Sequence, residues 1–121
     1  MLDKKKFYIN GEWVNPKSSQ TIDIINPATE EVCAKISLGN KDDVNEAVLS
    51  AKTAFKTWAF STKEERLAPL EKLYELYKKR WADIAEAITL EMGAPKDFAT
   101  KLQAGTGAVS YTHLTLPTMF E

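Results

Sequence analysis

The 121-residue chain contains one cysteine, Cys33, and one histidine, His113. A lone cysteine excludes an internal disulfide and suits a reducing, cytoplasmic compartment. No apolar run approaches the roughly 20 residues needed to span a bilayer. Charge of one sign is also missing: 16 Lys and Arg stand against 17 Asp and Glu, for a formal net charge of −1. That balance gives no electrostatic case for binding nucleic acid or an anionic membrane surface, so neither partner is expected. The opening MLDKKKFYINGEW carries a basic cluster with no apolar core behind it, which excludes a secretory signal.

What is present is an ordinary globular composition, 44% hydrophobic and 27% charged. The length allows one small domain or part of a large one. Residues 1–6 read as a solvated terminus. Phe7-Tyr8-Ile9, then Asn10-Gly11, then Glu12-Trp13-Val14 predicts a hairpin, because Asn-Gly accepts the positive φ angles of a type I′ turn. Thr21 to Ile25 alternates as a strand, Asn26-Pro27-Ala28-Thr29 is a turn, and Glu31 to Ser37 returns with Val32, Ala34 and Ile36 on one side.

After Gly39 the period changes. Asn40 is a candidate N-cap, and Val44, Ala47, Val48, Ala51, Phe55 and Trp58 mark one face of a helix from about Lys41 to Trp58. A second stripe, Leu67, Leu70, Tyr74, Tyr77, Trp81, Ile84, Ala85 and Ile88, runs through one long helix from Thr62 to Met92. Thr62 and Glu65 form a capping box at its start, Gly93 and Pro95 stop it, and Pro69 predicts a bend near Glu65 to Leu70. Lys96 to about Ala104 begins another helix that Gly105 and Gly107 weaken. The pattern is α/β: two strand pairs, then two amphipathic helices with more apolar surface than two short hairpins cover.

The aromatic hairpin with Asn10-Gly11, the Asn26-Pro27-Ala28-Thr29 turn, Asp43-Val44 opening a helix that ends at Trp58, and the Arg66 helix closing with Leu90-Glu91-Met92-Gly93-Ala94-Pro95 carry a family. In order and spacing they resemble the N-terminal region of NAD(P)-dependent aldehyde dehydrogenases, over about residues 7 to 107. The resemblance implies the N-terminal part of a large α/β fold, whose two helices pack on a Rossmann-like cofactor domain absent here. It implies an oxidoreductase that converts an aldehyde to a carboxylic acid with NAD or NADP and acts as a homo-oligomer when complete. Its nucleophile would be a cysteine forming a thiohemiacetal, with a glutamate activating water and an asparagine at the oxyanion. In the family these groups and the glycine-containing cofactor segment lie downstream, so no catalytic, cofactor-binding or metal residue is assigned here, and the fragment is expected to be inactive. The alternative reading is a non-enzymatic helical interaction module whose exposed stripes bind a partner.

Residues 1–108 are therefore expected to be the N-terminal portion of the dehydrogenase domain, with 109–121 a foreign tail. AVSYTHLTLPT resembles one reading frame of a transposon-derived adapter used in preparing DNA for sequencing; an edge strand is the competing reading, since Val109, Tyr111 and Thr115 are β-formers. A Cys33–His113 dyad is weaker than Cys33 as a small buried strand residue with His113 in that tail. Glu91 with the carbonyls around Ile24 and Ile25 could form a weak monovalent-cation site, as in some relatives, but a helix-end carboxylate is usually just solvated. Gly105-Thr106-Gly107 follows no strand and is no phosphate loop. Trp13, Trp58 and Trp81 read as core or docking contacts, Lys78-Lys79-Arg80 as a solvated helix face, and Glu12, Glu30 and Glu31 as unpaired for acid–base work.

Overall fold

Residues 2–109 are described by the computed structural model, and they divide into two units, the first ending at Ser61 and the second beginning at Thr62. In the first, Leu2–Lys4 forms β1, Phe7–Ile9 β2, Glu12–Val14 β3, Thr21–Ile25 β4 and Val32–Ser37 β5. Asn10 at φ 54° and Gly11 at φ 81° supply the two left-handed residues that close β2 on β3. Their register pairs Tyr8 with Trp13, whose rings sit 5.2 Å apart, a cross-strand contact of about 0.2–1 kcal/mol.

The expected second strand pair is a three-stranded sheet in the order β1-β5-β4. β1 lies parallel to β5, Leu2 opposite Ala34 and Lys4 opposite Ile36, and β4 lies antiparallel. Residues 2–6 are exposed, as the reading of a solvated terminus expected, but that reading did not foresee the strand. Every residue of β1 is exposed, so no apolar alternation announced the strand; its main-chain groups pair with β5 whatever the side chains are. β5 starts at Val32, one residue later than expected. The Asn26 turn is as read: Asn26 Oδ1 accepts from Ala28 N at 2.9 Å, and Glu30, at φ 58°, closes the loop through its N–H to Asn26 O.

α1, Lys41–Trp58, has the expected bounds. The second unit holds α2, Lys63–Lys79, and α3, Trp81–Met92. The Thr62–Glu65 capping box and the left-handed Gly93 stop, at φ 73°, are both present. The expected single helix is instead broken at Arg80, whose φ of −104° and ψ of 15° leave the α region. α2 runs without interruption through Pro69, near which the bend was expected. Pro69 costs one backbone bond in an otherwise capped first half; the break falls where Arg80 N is shared between Leu76 O and Tyr77 O. All eight positions of the predicted stripe, from Leu67 to Ile88, are buried or half-buried.

α4 is a short turn, Lys96–Phe98, that continues into a π-helical segment, Ala99–Gln103, and then helix over 104–109. The helix expected from Lys96 runs on through Gly105 and Gly107, past the expected limit near Ala104. The buried centre of this unit is made of small side chains, Ala85, Ala94, Ala99 and Ala104, with Trp81, Ile84 and Ile88 packed against them. His113 and most of the expected tail fall outside the described residues.

Candidate functional site

The best-built site in the second unit lies where α2 and α3 meet the π segment. Tyr77 and Trp81 stand one turn apart, their rings 6.1 Å apart and nearly perpendicular at 82°. In an α-helix Ala104 N would bond Thr100 O. Here it closes on Ala99 O, the i→i+5 bond of a π turn, and Trp81 Nε1 takes the Thr100 carbonyl at 2.8 Å. Tyr77 Oη donates to Ala104 O at 2.9 Å. Gly105 faces the Trp81 ring and Gly107 faces the Tyr77 hydroxyl, so the two glycines give the aromatic pair room. Beside them an open, mostly apolar hollow of about 430 Å³ is lined by Tyr74, Trp81, Lys101, Leu102, Gly105 and Thr106. It offers shape and apolar contact, and among the described residues its lining holds no carboxylate, cysteine or histidine.

Asp43 is the buried carboxylate of the first unit, 6% exposed. At the start of α1 its oxygens accept from Asn40 N at 3.0 Å and Lys17 N at 2.9 Å, while Asn40 Oδ1 accepts from the N–H groups of Asp42 and Asp43. The Asn40 N–H first, and the Lys17 N–H second, hold its carboxyl below the ordinary 3.8. The sequence reading found the Asn40 N-cap but missed this box and the tie to Lys17. Asn40 and Asp43 do stand at capping-box spacing; nothing local signals Lys17.

The candidates weighed in the sequence do not assemble. Cys33 is half-buried, not buried as expected, with Sγ 3.3 Å from Ile24 O, to which it donates. Gly105-Thr106-Gly107 lies inside a helix against aromatic rings and makes no cradle for a dinucleotide. Lys78 pairs with Glu75 at 2.7 Å and lies over the Tyr74 ring; the Glu75 hydrogen bond raises its pKa. Arg80 pairs with Asp83 at 3.1 Å, in keeping with a solvated face. Trp13, 67% exposed, borders an open hollow with Asp3, Lys4, Lys5 and Lys6, of which Lys5 pairs with Asp3. Among the described residues no three His, Cys, Asp or Glu side chains gather as a metal site, and no helix is long and apolar enough to cross a membrane.

Comparison with known proteins gives consistent matches. The model of the aldehyde dehydrogenase family matches residues 13–114, past Gly107, where the sequence reading had ended the likeness. A 3-succinoylsemialdehyde-pyridine dehydrogenase from a Pseudomonas species is 44% identical over 108 residues, covering 88% of this chain and 23% of that protein. Among solved structures, an aldehyde dehydrogenase from Bartonella henselae superposes with a TM-score of 0.90 at 46% identity, over 93% of this chain and 24% of its own. A mutant aldehyde dehydrogenase C from Pseudomonas syringae, complexed with NAD+ and octanal, gives 0.87 at 39% identity, over 89% and 22%. The chain spans less than a quarter of the length of each of these relatives.

Proposed function

The chain belongs to the aldehyde dehydrogenase family, and from that premise we propose that it is the N-terminal portion of an enzyme oxidising an aldehyde to a carboxylic acid with NAD or NADP. One observation carries the reading. Nearly the whole chain follows the backbone of a family enzyme at 46% identity while accounting for 24% of it. The octanal and NAD+ bound to one relative support the substrate class and the cofactor. The chemistry of the complete enzyme is the covalent one: a cysteine thiolate supplied beyond this chain adds to the aldehyde carbonyl, and the bound nicotinamide cofactor supplies the hydride acceptor. Cys33 is not that nucleophile in this reading, because its thiol is engaged by Ile24 O inside a sheet. Gly39 is a single glycine between β5 and α1, and the described residues contain no G-x-G-x-x-G run there, so none is assigned to the cofactor.

The 121-residue chain is proposed to be inactive by itself, and the complete enzyme to be a cytoplasmic homo-oligomer. Residues 1–108 are proposed as native to it and 109–121 as foreign. The family match reaches residue 114, six residues into that tail, and resequencing across codons 107–121 without the adapter decides the boundary. For the activity, purified chain is mixed with octanal and NAD+ and the reduced cofactor is followed by absorbance. No signal is expected; aldehyde-dependent NADH formation by this chain would overturn the proposal.

A further inference from the structure

The hairpin of β2 and β3 has two unlike sides. Phe7, Ile9 and Val14 are half-buried, and the Phe7 ring lies against Gly39, where an added Cβ would meet it at 3.6 Å. The register that pairs Tyr8 with Trp13 puts both rings on the other side, because side chains alternate along a strand. Tyr8 is 62% exposed and Trp13 67%, so within the first unit both rings are largely uncovered. A tryptophan offers a small unit its largest apolar side chain for a core, and here the hairpin holds it outward.

A hollow of about 540 Å³ opens beside that indole, lined by Asp3, Lys4, Lys5, Lys6, Trp13 and Asn15. All six belong to the first unit. The lysines gather there because the ladder to β5 fixes Lys4, and Lys5 and Lys6 lead straight into β2. Their charges do not cancel. Lys5 Nζ pairs with Asp3 at 2.9 Å, whereas Lys4 and Lys6 are in no ion pair among the described residues. The net charge of −1 for the whole chain conceals this local excess of positive charge.

A flat apolar ring and two unpaired ammonium groups around one hollow complement a ligand with two matching parts. The volume falls within the roughly 300–1,000 Å³ of small-molecule sites. We propose that this hollow binds a small aromatic anion, a flat ring that carries a carboxylate or a phosphate. Trp13 stacks on the ring, and Lys4 and Lys6 hold the anionic group through charge-assisted hydrogen bonds. Asn15 adds an amide that can donate or accept. Tyr8, its ring 5.2 Å from Trp13 and tilted by 58°, supports the indole from the neighbouring strand. None of these residues has a part in the aldehyde chemistry proposed above, so the site stands or falls separately.

The test titrates the 121-residue chain with naphthoate and with naphthyl phosphate by isothermal calorimetry. Acetate and inorganic phosphate supply the charge without the ring, and naphthol the ring without the charge. One-to-one binding of an aromatic anion is expected, with the three controls at least tenfold weaker because each lacks half of the recognition. Tighter binding of naphthoate assigns the site to carboxylates, and of naphthyl phosphate to phosphates. Trp13→Val keeps a strand former in place and should weaken binding at least fivefold by removing the stacking surface. The double variant Lys4→Gln, Lys6→Gln should weaken it as much and lose the salt dependence of the parent. Lys79→Gln, at the exposed end of α2, should change the Kd less than twofold. Should Trp13→Val fail to fold by circular dichroism, the lysine variant decides alone. No saturable binding of either anion overturns the proposal, and so does equal binding by every variant. Capture of a single-stranded oligonucleotide without either anion assigns the patch to nucleic acid and overturns it too. Iodide quenching of tryptophan fluorescence that is the same with and without Trp13 places the ring under cover, which is equally fatal.

Discussion

Trp81 Nε1 donates to the Thr100 carbonyl at 2.8 Å, bridging two points 19 residues apart. The acceptor is free because the π turn sends Ala104 N to Ala99 O. The tryptophan therefore compensates a hydrogen bond that the widened helix gives up. Trp81→Phe keeps most of the ring and removes the donor. It should destabilise the second unit by about 0.5–1.5 kcal/mol, read as a lower urea midpoint with an unchanged slope.

The two glycines of the last helix should respond with opposite signs. At Gly107 an added Cβ runs into the Tyr77 hydroxyl, which already donates to Ala104 O. Gly107→Ala should cost about 1–3 kcal/mol by overpacking, and Tyr77→Phe in the same chain should recover part of it in a double-mutant cycle. At Gly105 the added Cβ meets the Trp81 ring at 3.7 Å, an ordinary contact. Gly105→Ala should stabilise by about 0.5–1 kcal/mol through helix propensity. Thermal melts of the three variants check the ordering.

Asp43 makes the first unit sensitive to acid. Hydrogen bonds from Asn40 and Lys17 lower its pKa in the folded state below 3.8. The stability it adds is complete above the unfolded value and is lost as pH falls through the folded one. Tm should therefore drop below about pH 4, and Asp43→Asn should flatten that part of the profile while lowering Tm at neutral pH. A Tm–pH series on both chains, followed by circular dichroism, is the measurement.

Glu30 occupies the left-handed region at φ 58°, an unfavourable position for a side chain of its kind. Glu30→Asn, which tolerates that geometry, should raise stability by about 0.5–1 kcal/mol and leave the Glu30 N–H bond to Asn26 O in place. A higher urea midpoint with unchanged far-ultraviolet circular dichroism is expected; a lower midpoint would show that the Glu30 side chain contributes more than its backbone costs.

Much of this architecture was legible because the chain states it locally. Asn10-Gly11 names its turn, Thr62 and Glu65 their box, Gly93 its stop, and the Leu67-to-Ile88 stripe its buried side. What escaped was fixed by partners distant in sequence. β1 has no apolar alternation and exists through its ladder to β5, the break at Arg80 has no proline or glycine to mark it, and the π turn is accommodated by a tryptophan from another helix. The α1 stripe was read correctly as apolar, yet the side of α1 that its own unit holds is the polar one.

β1 also sets an order of assembly. The hairpin of β2 and β3 closes on a two-residue turn, so it can form as soon as its few residues are available. β1 must wait for β5, and the bond from Ser37 Oγ to Lys5 O spans 32 residues. β1 is thus made well before the strand it pairs with, and a change at residues 2–4 acts on the slow, long-range step of folding. Trimming residues 2–4 as a loose end would leave one side of β5 as an open edge, the kind that recruits strands from other chains.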